Sequence, residues 1–392
     1  MIAAMVAKAR LPSFPAEWED LLWDAVRDEV GAGATVGPAL VTAIQARTRR
    51  YTDARERLHE RLGGADADRD LAARALFFTV ADAPKIAIPL AELDGRGLLP
   101  GSNLRVLDVG AGAGAMTLGL LAYRGVADTR VTAVDRDARA LAILRRVAAR
   151  LPNPPALATV RADLAAPLPD GPFDLVLAGT VVNELTPAAR APLVRALLTR
   201  LADDGAVILV EPALRETARD LHALRDALVA EGGVHVFAPC THERPCPALV
   251  DPRDWCHEDR SFQPPPRLAA LMRRTGLRDG GLKFAYVTLR RTPEPLVVAA
   301  RGSRALRVVS GALDSKGVVE RILCGDHGRK HIRLLSRERS ESLRVLDESR
   351  RGDILVEDER GLSPPPTSPA RTVPPPADSP TAPGSAPRRE AD

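Results

Sequence analysis

Apolar positions along the first hundred residues recur at helical spacing. Trp18, Leu21, Leu22, Ala25 and Val26 fall at i, i+3, i+4, i+7 and i+8, the stripe of an amphipathic helix. Residues 43–62 form a second helical run carrying Arg47, Arg49, Arg50, Arg55, Arg57 and Arg61. Asp53, Glu56 and Glu60 interleave with them, which predicts a solvated face with local ion pairs. A third helix is predicted over residues 66–81, with Asp66 as its N-cap and an end before Pro84.

At Leu104 the pattern changes to short apolar runs separated by helices. Strands are predicted at residues 104–109, 130–134, 156–161, 173–178 and 206–210, and helices at 115–123, 138–150, 187–201 and 213–230. Strands alternating with such helices imply a parallel sheet built of right-handed crossovers, an α/β fold. Residues 234–238 and 284–289 look like the last two strands of that sheet. Beyond Arg301, candidate strands at 304–309, 318–323 and 331–335 are punctuated by Gly311, Gly317, Gly325 and Gly328, which predicts a small β-rich module. From Gly361 to the last residue there are 10 prolines in 32 residues, and that composition predicts a disordered tail. The expected division is therefore 1–100 helical, 101–300 α/β, 301–360 β-rich and 361–392 tail.

Charge sharpens this division. The whole chain carries a formal net charge of only +4, which does not mark it as a nucleic-acid binder throughout. Residues 301–351 hold 13 Arg or Lys against 7 Asp or Glu, so +6 sits in the β-rich module and the remainder is slightly negative. No run approaches the ~18 apolar residues of a membrane span. The first fifteen residues lack a cationic segment leading into an apolar one, so a cytoplasmic location is expected. Four cysteines in such a chain argue for metal binding or catalysis over a disulfide scaffold.

The segment Val106-Leu107-Asp108-Val109-Gly110-Ala111-Gly112-Ala113-Gly114 joins the first predicted strand to a helix. Glycines there let the backbone turn sharply and approach a ligand, with amide groups facing the crevice. Asp108 in the strand end is placed to receive a ligand ammonium group. Asp135 closes the second strand, 25 residues after Gly110, where a carboxylate can hold both ribose hydroxyls. Asp163 follows the third strand, placed to accept from an adenine exocyclic amine. Acid, glycine loop, ribose acid and adenine acid in this order resemble the class I S-adenosylmethionine-dependent methyltransferases. The resemblance implies that Asp108, Gly110, Gly112, Gly114, Asp135 and Asp163 hold S-adenosylmethionine on a Rossmann-like sheet. A dinucleotide site is the competing reading of the glycines. After the fourth strand, Asn183 and Glu184 are the candidates for orienting a methyl acceptor, although a glutamate at a helix start also suits the helix dipole.

Cys240, Cys246, Cys256 and Cys324 are separated by 5, 9 and 67 residues. The first three fall in a Pro-rich insertion with little core of its own, which a bound metal would staple. Zinc on four thiolates, or on three with His242 or His257 substituting, and a 4Fe-4S cluster are both open by spacing. Pro239-Cys240-Thr241-His242, Cys246-Pro247, Asp254-Trp255-Cys256-His257, Lys283-Phe284-Ala285-Tyr286 and Cys324 together resemble the mitochondrial ribosomal small-subunit methyltransferase-like assembly factors and their bacterial relatives. Ala83-Pro84-Lys85, Glu211-Pro212 and Gly352-Asp353 extend the likeness over roughly residues 49–356. The family resemblance implies S-adenosylmethionine binding, a 4Fe-4S cluster on the four cysteines with zinc as the alternative, and small-subunit rRNA or the small ribosomal subunit as partner. The expected protein is a monomer that keeps clear of membranes and methylates or chaperones rRNA. A non-catalytic assembly factor and a nicotinamide-dependent oxidoreductase are the alternative functions.

Overall fold

The computed structural model describes residues 11–35, 37–55, 62–277 and 281–365. Its centre is a sheet of β1 (Leu104–Val109), β2 (Thr129–Asp135), β3 (Ala156–Arg161), β4 (Phe173–Gly179), β5 (Leu201–Pro212), β6 (His235–Ala238) and β8 (Leu282–Arg290), in the order β3-β2-β1-β4-β5-β8-β6. The short strand β7 (Glu258–Arg260) pairs with the start of β8. Strands β1 to β5 are parallel, as expected. The expectation of a wholly parallel sheet needs correction, because β8 runs antiparallel to both β5 and β6. Phe284 of β8 faces Pro212 at the end of β5, and β6, parallel to β5, is reached by the crossover helix Arg215–Ala230. The sheet is thus parallel-dominated with one reversed strand, within the α/β fold expected from the sequence.

Both faces of the sheet are apolar because both are covered. Within β5, Ile208 and Val210 face one core, while Val207 and Leu209 face the other. The first core is closed by the helices Ala115–Arg124 and Ala138–Ala149 together with the N-terminal helices Ala16–Val30, Gly37–Thr52, Gly64–Ala73 and Ala87–Gly95. The second is closed by the helices Pro187–Leu198 and Arg215–Ala230.

The stripe read in the first helix buries Trp18, Leu22, Ala25 and Val26. The second helix begins at Gly37, earlier than its charge pattern indicated, and residues 56–61 lie outside the described ones. Asp66 is not the N-cap of the third. Gly63 occupies that position, while Asp66 sits in the first turn and accepts from Arg69 Nη1 at 3.0 Å. That helix passes at Arg74–Thr79 into a π-helical turn, which buries Leu76 and Phe77 while carrying Arg74 and Phe78 to the edge of a cavity.

The C-terminal module is an antiparallel sheet in the order β11-β10-β9-β12-β13, made of β9 (Arg304–Val308), β10 (Val318–Gly325), β11 (Gly328–Leu335), β12 (Ile354–Asp358) and β13 (Gly361–Ser363). The helix Glu341–Glu348 covers it, started by Ser340, whose hydroxyl accepts from Leu343 N. Leu306, Val308, Leu323, Leu346 and Leu355 form its core. Gly361–Ser363 were expected to open the tail; instead they pair with β12 and bury Leu362, so the folded module extends past residue 360. The tail expectation for residues 366–392 lies outside the described residues.

Candidate functional site

Above the carboxyl ends of β1, β2 and β4 lies a cavity of about 830 Å³. The chain turns from β1 into the helix Ala115–Arg124 through Gly110, Gly112 and Gly114, with φ of 67°, 54° and 95°. A Cβ on Gly110 would strike Val181, and one on Gly114 would strike Leu144. One on Gly112 would meet nothing within 4 Å, so the backbone there stands open to the cavity. Of the six residues named for the cofactor, Gly110, Gly112, Asp135 and Asp163 line this space, together with the acceptor candidate Glu184.

Asp135 is tied to the glycine turn itself. Its Oδ2 accepts from Gly112 N at 2.8 Å and its Oδ1 from Asp137 N at 2.8 Å. A carboxylate keeps further lone pairs for a ligand hydroxyl. Asp163 accepts from Ala165 N at 3.0 Å. Asp108 and Gly114 stand behind the lining. Asp108 is fully buried, and its Oδ2 accepts from Thr117 N at 3.0 Å and Thr117 Oγ1 at 2.6 Å. Its Oδ1 has no partner among the described residues, and burial pushes its carboxyl up to about 7.

The two acceptor candidates separate. Asn183 is buried, with Nδ2 donating to Glu211 Oε2 at 2.6 Å. Burial holds the Glu211 carboxyl up at about 7. Glu184 faces the cavity and accepts from Tyr51 Oη at 2.9 Å. Arg47, Tyr51, Arg74 and Phe78 line the cavity from the N-terminal helices, and sequence reasoning missed all four as site residues. Arg47 and Tyr51 lie on the arginine-rich helix that read as a solvated face, and Arg74 and Phe78 on the third helix, which carried no site signal.

The four cysteines gather between the insertion and the C-terminal module. The helix Arg215–Ala230 shapes the insertion: Arg219 donates to the carbonyls of Ala248, Leu249, Asp251 and Asp254 at 2.7–3.1 Å. Arg225 donates to His242 O and Arg244 O, and Asp226 accepts from Cys246 N at 2.8 Å. Cys324 arrives on β10 with its Sγ 3.9 Å from His242 Nε2. Burial, reinforced by the other thiols, pushes Cys256 up to about 11 and Cys324 up to about 12, and raises Cys246 further. Burial also raises Cys240, while Arg225 and Arg307 oppose that rise. Arg329 opposes it at Cys256 and Cys324. The four thiols thus sense one another among three arginines. Among the described residues, no three or more His, Cys, Asp or Glu side chains form a group that could hold a single metal ion.

The family described as mitochondrial small ribosomal subunit Rsm22 matches residues 98–356, about two thirds of the chain. This chain belongs to that family. No curated protein matches the Rsm22-family chain. Among solved structures, it is similar to magnesium protoporphyrin IX methyltransferase from Synechocystis PCC 6803 with bound SAM, at 14% identity over 64% of this chain and 97% of that one, with a TM-score of 0.35. It is also similar to TrmN from Thermus thermophilus, at 20% identity over 52% and 48%, with a TM-score of 0.32. A putative RNA methyltransferase from Pyrococcus horikoshii matches at 14% identity over 54% and 83%, with a TM-score of 0.35.

Proposed function

We propose that this Rsm22-family protein binds S-adenosylmethionine in the cavity over Gly110–Gly112 and transfers its methyl group to small-subunit rRNA, acting as a monomer in the cytoplasm. The observation that carries this reading is the set of Gly112, Asp135, Asp163 and Glu184 on the wall of one cavity at the carboxyl ends of β1 to β4. Asp135 would hold the ribose, Asp163 the adenine amine, and the open Gly112 backbone would let the ligand lie close. Asp108 stands fully buried behind the turn and would act on a ligand ammonium group across it rather than by contact. The bound group supplies an electrophilic methyl, so the protein's own part is alignment of the acceptor and exclusion of water.

Cys240, Cys246, Cys256 and Cys324 would hold a 4Fe-4S cluster, with zinc as the alternative. The four thiols, of which Cys246 is buried, suit such a group in donor type though not in their present spacing, and Arg225, Arg307 and Arg329 suit its negative charge. One ligand from the C-terminal module and three from the insertion make this an architectural crosslink.

Calorimetric titration of anaerobically purified protein with S-adenosylmethionine and with NAD tests the first reading. S-adenosylmethionine should bind more tightly, and Asp135→Ala should weaken it by about tenfold or more, as expected for loss of charged hydrogen bonds. Tighter NAD binding, or an unchanged affinity in the variant, would overturn it. Metal analysis and the visible spectrum of the same sample distinguish iron from zinc, and metal-free protein would refute the crosslink.

A further inference from the structure

The segment after β4 is gripped from outside the sheet by side chains of the N-terminal region. Arg47 and Tyr51 lie four residues apart on the helix Gly37–Thr52, hence on one face, and Arg55 follows just beyond its end. Tyr51 Oη donates to Glu184 Oε1 at 2.9 Å. Arg47 Nη2 in turn donates to Tyr51 Oη at 3.0 Å and stands 3.7 Å from the same carboxylate oxygen. Arg55 Nη2 donates to Asn183 O at 2.9 Å. From the inner side, Glu211 accepts from Val182 N at 2.8 Å and Asn183 Nδ2 at 2.6 Å. The turn is therefore pinned from two sides. Glu184 stays about a quarter exposed on the cavity wall, and among the described residues its Oε2 meets no hydrogen-bond partner. Burial raises the Tyr51 hydroxyl well above its usual range, which keeps it a donor at any working pH.

We propose that Tyr51, oriented by Arg47, is a positioning residue of the methyl-acceptor site, holding Glu184 so that Oε2 receives a hydrogen bond from an N–H or O–H of the acceptor. This deepens the methyl-transfer reading and rests on it. A carboxylate in this position favours a neutral donor and repels phosphate, so the acceptor's base or hydroxyl, rather than its backbone phosphate, faces the cofactor. The helical N-terminal region is then part of the acceptor site.

The test compares Tyr51→Phe, Glu184→Gln and the double variant, with stripped small ribosomal subunits as acceptor and tritiated S-adenosylmethionine as donor. Affinity for S-adenosylhomocysteine, read by calorimetry, should stay within about twofold, while kcat falls about tenfold in Tyr51→Phe, as for a lost charge-assisted hydrogen bond. The double variant should be no slower than Glu184→Gln alone, because the two residues act as one unit. Full kcat in Tyr51→Phe, or losses that multiply in the double variant, would overturn the proposal. If Tyr51→Phe loses S-adenosylhomocysteine binding, it has lost the site as a whole, and Arg47→Gln, which keeps the hydroxyl, takes its place with the same criteria. If the unaltered protein transfers no methyl group, the methyl-transfer reading fails by itself. Positioning is then read from binding of the same particles in the presence of S-adenosylhomocysteine. Equal, non-additive weakening in the two variants supports it and unchanged binding overturns it.

Discussion

Asp108, near the end of β1, is fully buried, with one oxygen on Thr117 and the other without a partner among the described residues. Burial, opposed by the Thr117 hydrogen bonds, holds its folded carboxyl near 7, against 3.8 for the free group. Below about 4 both folded and unfolded chains carry the proton. As pH rises the unfolded chain loses it first, so this group's stabilisation is lost between about 4 and 7 and levels off above. An asparagine at this position would keep the shape without the charge. The stability advantage of the unaltered protein over Asp108→Asn should therefore shrink by up to a few kcal/mol between pH 5 and pH 8. Glu211 follows the same slope in both proteins and cancels. Urea midpoints at the two pH values decide it, and parallel pH profiles would refute the buried proton.

At the scale of the element, β11 changes the picture of how nucleic acid would be gripped. Each of its two arginines and its lysine is met by a carboxylate. Arg329 pairs with Asp254, Lys330 with Glu357 at 2.5 Å, and Arg333 and His331 with Glu320 at 3.1 and 2.9 Å. Exposed Arg301, Arg304, Lys316, Arg337 and Arg339 have no ion-pair partner among the described residues. Paired cations release fewer counterions, so Arg337→Glu with Arg339→Glu should weaken rRNA binding more than Lys330→Glu with Arg333→Glu. The salt slope should fall by about one for each phosphate that is no longer neutralised. Filter binding across a salt series would contradict this if the β11 pair proved the more damaging.

The same scale shows what the sequence could reveal. Strands β1 and β3, the glycine turn and Asp135 were legible because a short apolar run between helices and a turn that only glycine relaxes into are local properties. Tyr51 was not, because its partner Glu184 lies 133 residues away and its own helix reads as an arginine-rich surface. Strand β7, Glu-Asp-Arg, has no apolar alternation at all; it is buried because Glu258 Oε2 accepts from Arg260 Nε at 2.9 Å. The direction of β8 was equally hidden, since an apolar run has the same pattern whichever way it enters the sheet.

Across the whole molecule, one buried arginine ties the C-terminal module to the central sheet and to the N-terminal helices. Arg307 of β9 is 4% exposed and reaches Glu92 in the N-terminal helices, Tyr286 in β8 at 3.1 Å and Glu258 in β7 at 3.4 Å. Tyr286 Oη closes the ring by donating to Glu92 Oε2 at 2.7 Å. On the neighbouring strand its register partner is Cys324, so the docking ion network and the last cysteine share one face of the C-terminal sheet. Removing a single member of a buried charge network leaves the others unpaired, which typically costs about 3–5 kcal/mol. Arg307→Met should therefore loosen the C-terminal module even with all four cysteines intact. Deuterium exchange in β9, β10 and the joint at residues 291–303 should accelerate, while β1 to β5 keep their protection. Adding Glu92→Gln should restore part of the loss, because that uncompensated charge is then gone, while Glu258 keeps Arg260 as its partner. Cys324→Ser leaves the ion network whole, so in metal-free protein it should exchange like the unaltered chain. An Arg307→Met protein with unchanged exchange and unchanged urea midpoint would show that the layers are held together by apolar packing alone.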